Sequence, residues 1–370
     1  MQTKKIILIS KEEPEKLPPV ITAALSLRKC GMSVHLIAST INENVKLLLE
    51  DNGICCCELF SKRQSSSQSI IKKIKFWHQF RMRAKREINK HDLHDYLWIC
   101  SGDTAVALGT FFLNRKYVLH LHELYDRQKF YIKQLRKFAK NTTLTIVPDN
   151  ARAVIFRYWY DLNYTPLVIP NKPIIEETTK DIEEISPYNY NLLQKYQTKK
   201  IILYQAKMIR MKLYDVAEAL RQLGDQYVLG LLGDIRDKAM VATLLDKYEN
   251  VVHFEYMTPP YHLLLTKRAY IGILTYNYES LNNIFCAPNK TWEYSKFSVP
   301  MLANNLPVLK LQLENFIAGE TYEFDDVDSI KKSILKIEQS YNIYKKGAQR
   351  LYDSVDMQAL YRDVILRLEK

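Results

Sequence analysis

Short apolar runs alternate with longer amphipathic stretches along this chain, and a break near the middle divides the alternation into two series. The first series opens with a strand predicted at Lys5–Ser10, and the second opens with one predicted at Lys200–Gln205. Strands that alternate with helices of about 10–15 residues are typical of βαβ crossovers and a parallel sheet. The sequence therefore predicts an α/β protein with two Rossmann-like domains and a helical C-terminus, Val327 to Lys370.

A length of 370 residues fits two α/β domains better than one. Prolines flanking the acidic stretch Glu176–Glu184 indicate an interdomain linker. We expect a first domain at residues 1–172, a linker at 173–198, a second domain at 199–345, and a C-terminal helix at 346–370 that packs back on the first domain. Two such domains are expected to face each other across a cleft at the carboxyl ends of their strands, where ligands bind.

The charge balance is basic, with 53 Lys and Arg against 41 Asp and Glu. Three kinds of partner fit this balance: nucleic acid, an anionic membrane face, or a phosphorylated small molecule. Glycine is scarce, at 10 residues, and neither G-x-G-x-x-G nor a Walker A loop occurs. These absences argue against a dinucleotide-dependent dehydrogenase and a P-loop kinase. Helix N-termini and Lys or Arg side chains would therefore have to hold any phosphates.

The six cysteines are not spaced like a zinc site, and Cys55–Cys57 are interpreted as small apolar residues of a strand. The histidine pairs His91/His94 and His120/His122 have no Cys or carboxylate that completes a ligand set. We therefore expect no metal site. No run reaches the roughly 18 uncharged apolar residues that a membrane span needs, and a cytoplasmic location is expected.

The segment from Pro288 to Glu293 carries the most specific chemistry. Pro288 and Asn289 suit a helix start, which puts Lys290 in the first turn. A lysine opposes the helix dipole there unless an anion meets both. Glu293 follows on the same face, and a carboxylate accepts hydrogen bonds from ribose hydroxyls. The alternative is a surface helix start with a solvated Lys-Glu pair.

This P-N-K-x-x-E-Y segment, with an Asn-rich loop before it and a V-P strand after it, resembles the donor-site motif of family 4 retaining glycosyltransferases of the GT-B fold. The resemblance implies that Glu293, as the second glutamate of an E-x7-E motif, binds the nucleotide ribose. It also implies that Lys290, Asn282 and Asn283 contact phosphate and sugar. Phe285 stands where the first glutamate is expected, which removes a donor-sugar contact.

The run L-Y-Q-A that ends at Ala206, followed by Lys207 and Arg210, resembles the family's first C-terminal strand and its diphosphate-binding cations. Two cations beside a β-phosphate stabilise a departing nucleoside diphosphate without a metal. A solvated basic loop is the alternative. Tyr256 stands where relatives receive the base, although a core or rim tyrosine is the alternative interpretation.

In the first half, H-E-L-Y beginning at His122 and V-I-P-N-x-P beginning at Val168 also match the family. The resemblance implies that His122 orients the donor sugar or the acceptor and that Glu123 assists. The resemblance covers most of the chain, and it is more specific in the second half.

Residues 69–90 combine many cations with apolar and aromatic side chains. At 3.6 residues per turn Ile70, Ile74, Trp77 and Phe80–Arg81 share one side, which predicts a basic amphipathic helix. Such a helix suits an anionic membrane surface. An ordinary domain helix is the alternative, and contact with nucleic acid lacks a reader motif. The residues expected to face membrane or acceptor are Lys72, Lys73, Lys75, Trp77, Arg81 and Arg83.

The resemblance implies a retaining glycosyltransferase that needs no metal and no cofactor besides its nucleoside-diphosphate sugar. The donor would bind the second domain and the acceptor the first. The expected acceptor is a glycan or polyprenyl-linked sugar of a cell-surface polysaccharide, with peripheral contact to the inner face of the membrane and none to nucleic acid. Two alternatives remain open: a sugar-nucleotide epimerase of the same fold, and a catalytically silent partner subunit.

Overall fold

The structure, a computed structural model, describes residues 5–61, 70–174, 185–257 and 259–369. The chain divides into two compact units, one formed by Met1–Pro173 together with Asp356–Lys370 and the other by Ile174–Val355. Two parallel sheets with helices around them confirm the predicted α/β class and its two Rossmann-like halves.

The first unit contains a parallel sheet of seven strands among its described residues, in the order β3-β2-β1-β4-β5-β6-β7. These strands are β1 Lys5–Ser10, β2 Ser33–Ala38, β3 Cys55–Glu58, β4 Tyr96–Ile99, β5 Tyr117–His120, β6 Leu144–Val147 and β7 Leu167–Val168. The helices are α1 Pro18–Lys29, α2 Glu43–Asp51, α3 Ile70–Ile88, α4 Gly102–Leu108, α5 Lys129–Lys140 and α6 Asn150–Tyr160. The central strands are mostly apolar because helices cover both faces of a parallel sheet.

The second unit contains a parallel sheet of six strands among its described residues, in the order β10-β9-β8-β11-β12-β13. These strands are β8 Lys200–Ile209, β9 Tyr227–Ile235, β10 Val251–Phe254, β11 Ile271–Leu274, β12 Met301–Asn304 and β13 Gly319–Tyr322. The helices are α7 Pro187–Lys195, α8 Tyr214–Leu223, α9 Lys238–Lys247, α10 His262–Thr266, α11 Leu281–Ile284, α12 Asn289–Lys296, α13 Pro307–Phe316, α14 Val327–Gln339 and α15 Tyr341–Asp353.

The stretch predicted as a linker contains helix α7, which belongs to the second unit. Ser186 accepts a hydrogen bond from the Asn189 amide and Pro187 occupies the first helical turn, which is a typical helix start. The buried Asn189 side chain in turn exchanges two hydrogen bonds with the Glu255 backbone after β10. The acidic stretch at 176–184 lies outside the described residues.

The helical end of the chain consists of α14, α15 and a last helix, α16 Met357–Glu369. Residues 346–355, predicted as part of the returning helix, stay with the second unit because α15 packs on α12 and α13. Helix α16 returns to the first unit, where the Tyr361 ring stacks on Trp98 with 6.0 Å between ring centroids. The Tyr96 hydroxyl donates a hydrogen bond of 2.7 Å to the Leu368 carbonyl. The C-terminal helix therefore completes the core of the first unit.

Replacing Tyr361 with alanine is expected to destabilise the first unit by about 3–5 kcal/mol, because a fully buried aromatic ring leaves a cavity on Trp98. Urea unfolding followed by circular dichroism measures the loss. Tyr158→Ala is the matched control, since that tyrosine is 84% exposed and its removal should change the free energy of unfolding by less than about 0.5 kcal/mol. Equal midpoints for the two variants would show that α16 does not complete this core.

Candidate functional site

Helix α12 begins directly after Pro288, as the sequence predicts, so Lys290 lies in its first turn. The helix is fixed to the sheet by Tyr294, whose hydroxyl donates a hydrogen bond of 2.8 Å to the Leu203 carbonyl of β8. The Tyr294 ring occupies the space over Gly272, where an added Cβ would lie 2.5 Å from ring atoms. Glycine at this position of β11 therefore lets α12 approach the sheet closely.

The Glu293 carboxylate is held by two side chains from other elements. Gln205 of β8 donates a hydrogen bond of 2.5 Å to Oε2, and Nε2 of His262 in α10 lies 3.4 Å from Oε1. Thr266 donates a hydrogen bond of 2.8 Å to the Gln205 amide oxygen, which fixes the direction in which that amide points. Glu293 is therefore oriented by a chain of three polar side chains, of which Gln205 and Thr266 are buried.

The pKa of Glu293 lies below its ordinary value. Burial acts to raise it, but the charge of His262, hydrogen bonds from His262 and Gln205, and the charge of Lys290 together outweigh burial. The Glu293 side chain keeps 12% exposure. It is thus a fixed, ionised hydrogen-bond acceptor that a ligand can still reach.

Lys290 lies between two aromatic rings, with its ammonium 4.7 Å from the centroid of Tyr204 and 5.2 Å from that of Tyr276. Burial lowers its pKa to about 8, while Glu293 and Cys286 act in the opposite direction. The lysine stays mostly protonated at neutral pH, but it has lost much of its hydration. An anion bound beside the ammonium would replace the stabilisation that the ammonium lost with its hydration.

Strand β8 continues beyond its predicted end at Gln205 to Ile209, with a register shift between Gln205 and Met208. The opposing β9 approaches closely here: Gly233 has φ +141°, and a Cβ on it would lie 1.8 Å from the Ala206 carbonyl oxygen. Only glycine permits this approach. The bulge places Lys207 within the strand rather than in a following loop, with an exposed side chain.

Arg210 follows β8 and is exposed, with a guanidinium nitrogen 3.9 Å from the Met208 sulfur. Burial raises the pKa of Tyr204 to about 12, and the charge of Arg210 acts to lower it. Because Tyr204 also carries the Lys290 ammonium on its ring, the structure brings Arg210 and Lys290 to the same tyrosine.

The remaining predicted residues of the second unit lie on loops and short elements. Tyr256 follows β10 and is 38% exposed. Asn282 and Asn283 lie in α11, whose N-terminus is capped by Ser280, and the Asn283 amide donates a hydrogen bond to Asn277. Phe285 ends this short helix. The Asn283 side chain therefore helps shape the loop.

In the first unit, His122 is buried and its Nδ1 lies 3.1 Å from the Asn171 side-chain oxygen. Burial lowers the pKa of His122 to about 4, so the imidazole is neutral at pH 7. The buried Arg152 guanidinium donates a hydrogen bond to the His122 carbonyl. Nε2 of His122 is buried and has no hydrogen-bond partner among the described residues. Glu123 is exposed, so the two adjacent side chains lie in different environments.

Helix α3 buries the C-terminal part of the predicted face and leaves its N-terminal part exposed. Its core contacts come from Phe80, Ala84 and Ile88, whereas Ile74 is 61% exposed. The buried residues follow one another at intervals of four from Phe80 onward. Only the C-terminal half of the helix therefore packs on the domain.

Three of the residues expected to face membrane or acceptor also contact other residues of the first unit. Trp77 is half-buried and lies edge-on to Tyr131, 6.3 Å away. Arg81 donates a hydrogen bond of 2.9 Å to the Ala107 carbonyl, and Arg83 donates one to the Leu59 carbonyl. The two arginines therefore satisfy backbone carbonyls at the surface of the first unit.

The first turns of α3 expose both basic and apolar side chains. Ile71 is 79% exposed, and it is accompanied by exposed residues of both kinds: Lys72, Lys73, Ile74 and Lys75. We call these five residues the α3 basic surface. Within the part of the chain that the structure describes, no helix has the length and apolar character needed to cross a membrane.

Three of the residues around Glu293 and Lys290 were not predicted from the sequence. His262 and Thr266 lie in a short helix with no motif spacing, and Tyr276 was noted only as part of a loop. Gln205 offered a signal, because a polar amide stands in an otherwise apolar run, I-I-L-Y-Q-A. A buried amide requires partners, which points to a polar network at that strand end.

No protein-family model and no curated protein matches this chain. Among solved structures, HepE of Anabaena in complex with UDP and glucose is similar, with 15% identity, a TM-score of 0.71 and 100% of both chains covered. Sucrose-phosphate synthase of Thermosynechococcus elongatus is 13% identical, with a TM-score of 0.67 over 99% of this chain and 97% of that chain. A putative UDP-N-acetylglucosamine 2-epimerase of Listeria monocytogenes is 14% identical, with a TM-score of 0.64 over 98% and 95%. These likenesses confirm the predicted GT-B fold.

Proposed function

We propose that this chain is a glycosyltransferase of the hexosyltransferase type, which moves a sugar from a nucleoside diphosphate to an acceptor. The observation that carries the proposal is the pair formed by Glu293 and Lys290 on one helix turn. A fixed, ionised carboxylate stands beside a poorly hydrated ammonium. A ribose diphosphate matches this pair, because its hydroxyls donate hydrogen bonds and its phosphates carry negative charge. HepE, a protein of the same fold, was solved with UDP and with UDP-glucose.

In the proposed reaction the bond between the sugar C1 and the diphosphate oxygen breaks, and a bond from C1 to an acceptor hydroxyl oxygen forms. The proton of that hydroxyl leaves with the departing diphosphate. Negative charge grows on the departing diphosphate. Lys290, Arg210 and Lys207 stabilise that charge, so the reaction needs no metal. Glu293 and the loop of Asn282 and Asn283 hold ribose and sugar, and retention at C1 is the outcome that the resemblance to family 4 supports.

The base and the sugar ring are assigned to the remaining polar and aromatic residues. Tyr256 stacks on the base in this proposal. His122 acts as a neutral hydrogen-bonding group for the sugar or the acceptor, and its unpaired Nε2 among the described residues supports that role. Glu123 assists from its exposed position.

Transfer is tested by supplying the full chain with a panel of nucleoside-diphosphate sugars. The sugar that raises the melting temperature most identifies the donor, because ligand binding stabilises the native state. That donor is then incubated with glycan and polyprenyl-linked acceptors. We expect an acceptor-dependent release of nucleoside diphosphate and a new glycosidic bond.

A sugar-nucleotide epimerase is the second candidate, because an epimerase of the same fold is among the similar structures. Incubating the donor alone distinguishes the two functions. An epimerase would convert it to a new sugar nucleotide, whereas the transferase would leave it unchanged until an acceptor is added.

The proposed acceptor belongs to a cell-surface polysaccharide and is presented at the membrane, where the α3 basic surface docks. Each lysine near an anionic bilayer contributes about 1 kcal/mol to binding. Loss of Lys73 and Lys75 should therefore weaken binding to vesicles of anionic lipid by about 30-fold. Cosedimentation with such vesicles, and with neutral ones as a reference, measures this.

The control for this experiment changes the same number of charges elsewhere. Lys345→Gln with Lys346→Gln neutralises two exposed lysines of α15 in the second unit. The pair Lys73→Gln with Lys75→Gln should bind anionic vesicles about 30-fold more weakly, and the α15 pair should bind them as the wild-type chain does. Equal loss in both pairs would mean that net charge alone drives the contact.

A further inference from the structure

A separate group of polar side chains lies in the first unit, outside the residues assigned above. It consists of His35 on β2, Cys57 on β3 and Glu87 on α3. Each offers one ligand-forming atom, and these atoms all lie within 4.8 Å of one another. Among the residues that the structure describes, this is the one group of three or more His, Cys, Asp or Glu side chains with such spacing.

The fold brings the three residues together although they are distant in sequence. Strands β2 and β3 are parallel neighbours with His35 opposite Cys55, so Cys57, two residues further along, lies on the same face of the sheet as His35. Glu87 near the end of α3 reaches the same place, and its carboxylate forms a hydrogen bond with the Cys57 thiol. His35 is only 7% exposed, and Cys57 and Glu87 are half-buried.

The donor set is chemically specific. A thiolate, an imidazole and a carboxylate together suit zinc, whereas magnesium and calcium prefer oxygen ligands alone. Cys57 as thiolate and Glu87 as carboxylate supply two negative charges, which balance Zn²⁺. Zinc bonds of about 2.0–2.3 Å place tetrahedral ligands roughly 3.5 Å apart, so side-chain movements of about 1 Å suffice.

The surroundings also fit a bound ion. Lys90 donates a hydrogen bond of 2.5 Å to Oε2 of Glu87. This bond orients the carboxylate and leaves its Oε1 for a metal. Nε2 of His35 is buried without a hydrogen-bond partner among the described residues, and coordination through this nitrogen would give it one. Lys5 is engaged with His91, with 2.9 Å between its Nζ and Nδ1 of the imidazole. The His91 ring lies edge-on to His35, with 4.6 Å between ring centroids.

We propose that His35, Cys57 and Glu87 bind one Zn²⁺, with water as the fourth ligand, in a structural site that ties the edge strand β3 to helix α3. Binding transfers the thiol proton of Cys57 to solvent. Strand β3 has four residues and, among the described strands, one neighbour, so the metal gives it a cross-link at the edge of the sheet. The site also fixes the helix whose first turns form the α3 basic surface. It is independent of sugar-nucleotide binding.

Cobalt titration of the metal-stripped full chain tests this proposal, because Co²⁺ occupies zinc sites and absorbs light. We expect one equivalent of Co²⁺ to produce a thiolate-to-cobalt charge-transfer band, and Zn²⁺ to bleach it. Cys57→Ser should abolish the band. Cys56→Ser is the matched control, since Cys56 lies in the same strand with its side chain on the opposite face, and it should keep the band.

Two further measurements keep the result decisive if Cys57→Ser folds poorly. Glu87→Gln should weaken cobalt affinity at least tenfold, and Zn²⁺ should raise the melting temperature of the wild-type chain but not of this variant. The proposal is overturned if the wild-type chain gives no thiolate band, if Cys57→Ser keeps it, if Cys56→Ser loses it equally, or if Glu87→Gln binds cobalt as tightly as wild type.

Discussion

Replacing Lys290 with alanine is expected to reduce the rate of sugar transfer by about 10²–10³-fold, because removing one group that stabilises the developing charge has an effect of that size. The ammonium lies 4.7 Å from the ring centroid of Tyr204 and 5.2 Å from that of Tyr276. Release of nucleoside diphosphate from the donor identified above, in the presence of acceptor, measures the rate.

Lys296→Ala is the matched control, because Lys296 lies in the last turn of the same helix against Tyr352. It should transfer sugar at the wild-type rate, and both variants should keep the wild-type circular dichroism spectrum. Transfer at the wild-type rate by Lys290→Ala would remove this lysine from the site.

The pH dependence of donor binding follows from the same lysine. Burial lowers the pKa of Lys290 to about 8, so the free protein loses the cation as the pH rises through about 8. Affinity for the diphosphate should therefore fall over that range, and it should not fall there in Lys290→Ala. The sign is fixed because only the protonated amine attracts the anion.

Replacing Glu293 with alanine is expected to weaken nucleotide binding by about 10²-fold, because hydrogen bonds to a charged group contribute roughly 1.5–3 kcal/mol each. The change also leaves Gln205 and His262 without their shared acceptor. Isothermal calorimetry with the nucleoside diphosphate measures the loss. Glu249→Ala, at an exposed glutamate before β10, should bind as wild type does.

A Glu293→Gln variant separates charge from shape. The new amide places an NH₂ group or an oxygen against the Gln205 amide, whose direction Thr266 already fixes. We expect an intermediate loss of affinity. If Glu293→Gln and Glu293→Ala both bind nucleotide as tightly as wild type, the ribose role of this carboxylate is wrong.

The sequence predicted the two sheets well because parallel strands covered on both faces must be apolar runs, and such runs are visible without a structure. The start of α12 could also be predicted from the sequence, since Pro288 and Asn289 are local signals of a helix start. Both predictions depend on residues that are close together in the chain.

Features that depend on residues far apart in the sequence could not be predicted from it. The extension of β8 past Gln205 requires a glycine at position 233 of the neighbouring strand, because a Cβ on Gly233 would collide with the Ala206 carbonyl oxygen. The amphipathic pattern of α3 does not show how much of the helix the first unit covers, so the exposure of Ile74 could not be predicted. The cysteines of β3 are apolar by composition, and only strand pairing places Cys57 beside His35.

The most direct test of the nucleotide site is calorimetric titration of the full chain with uridine and guanosine diphosphates. We predict that one of the two binds with a stoichiometry of one per chain, and that Lys290→Ala combined with Glu293→Ala abolishes this binding while leaving the circular dichroism spectrum unchanged. Binding of neither nucleotide by the wild-type chain, or equal binding by the double variant, would contradict the proposal that α12 forms a sugar-nucleotide site.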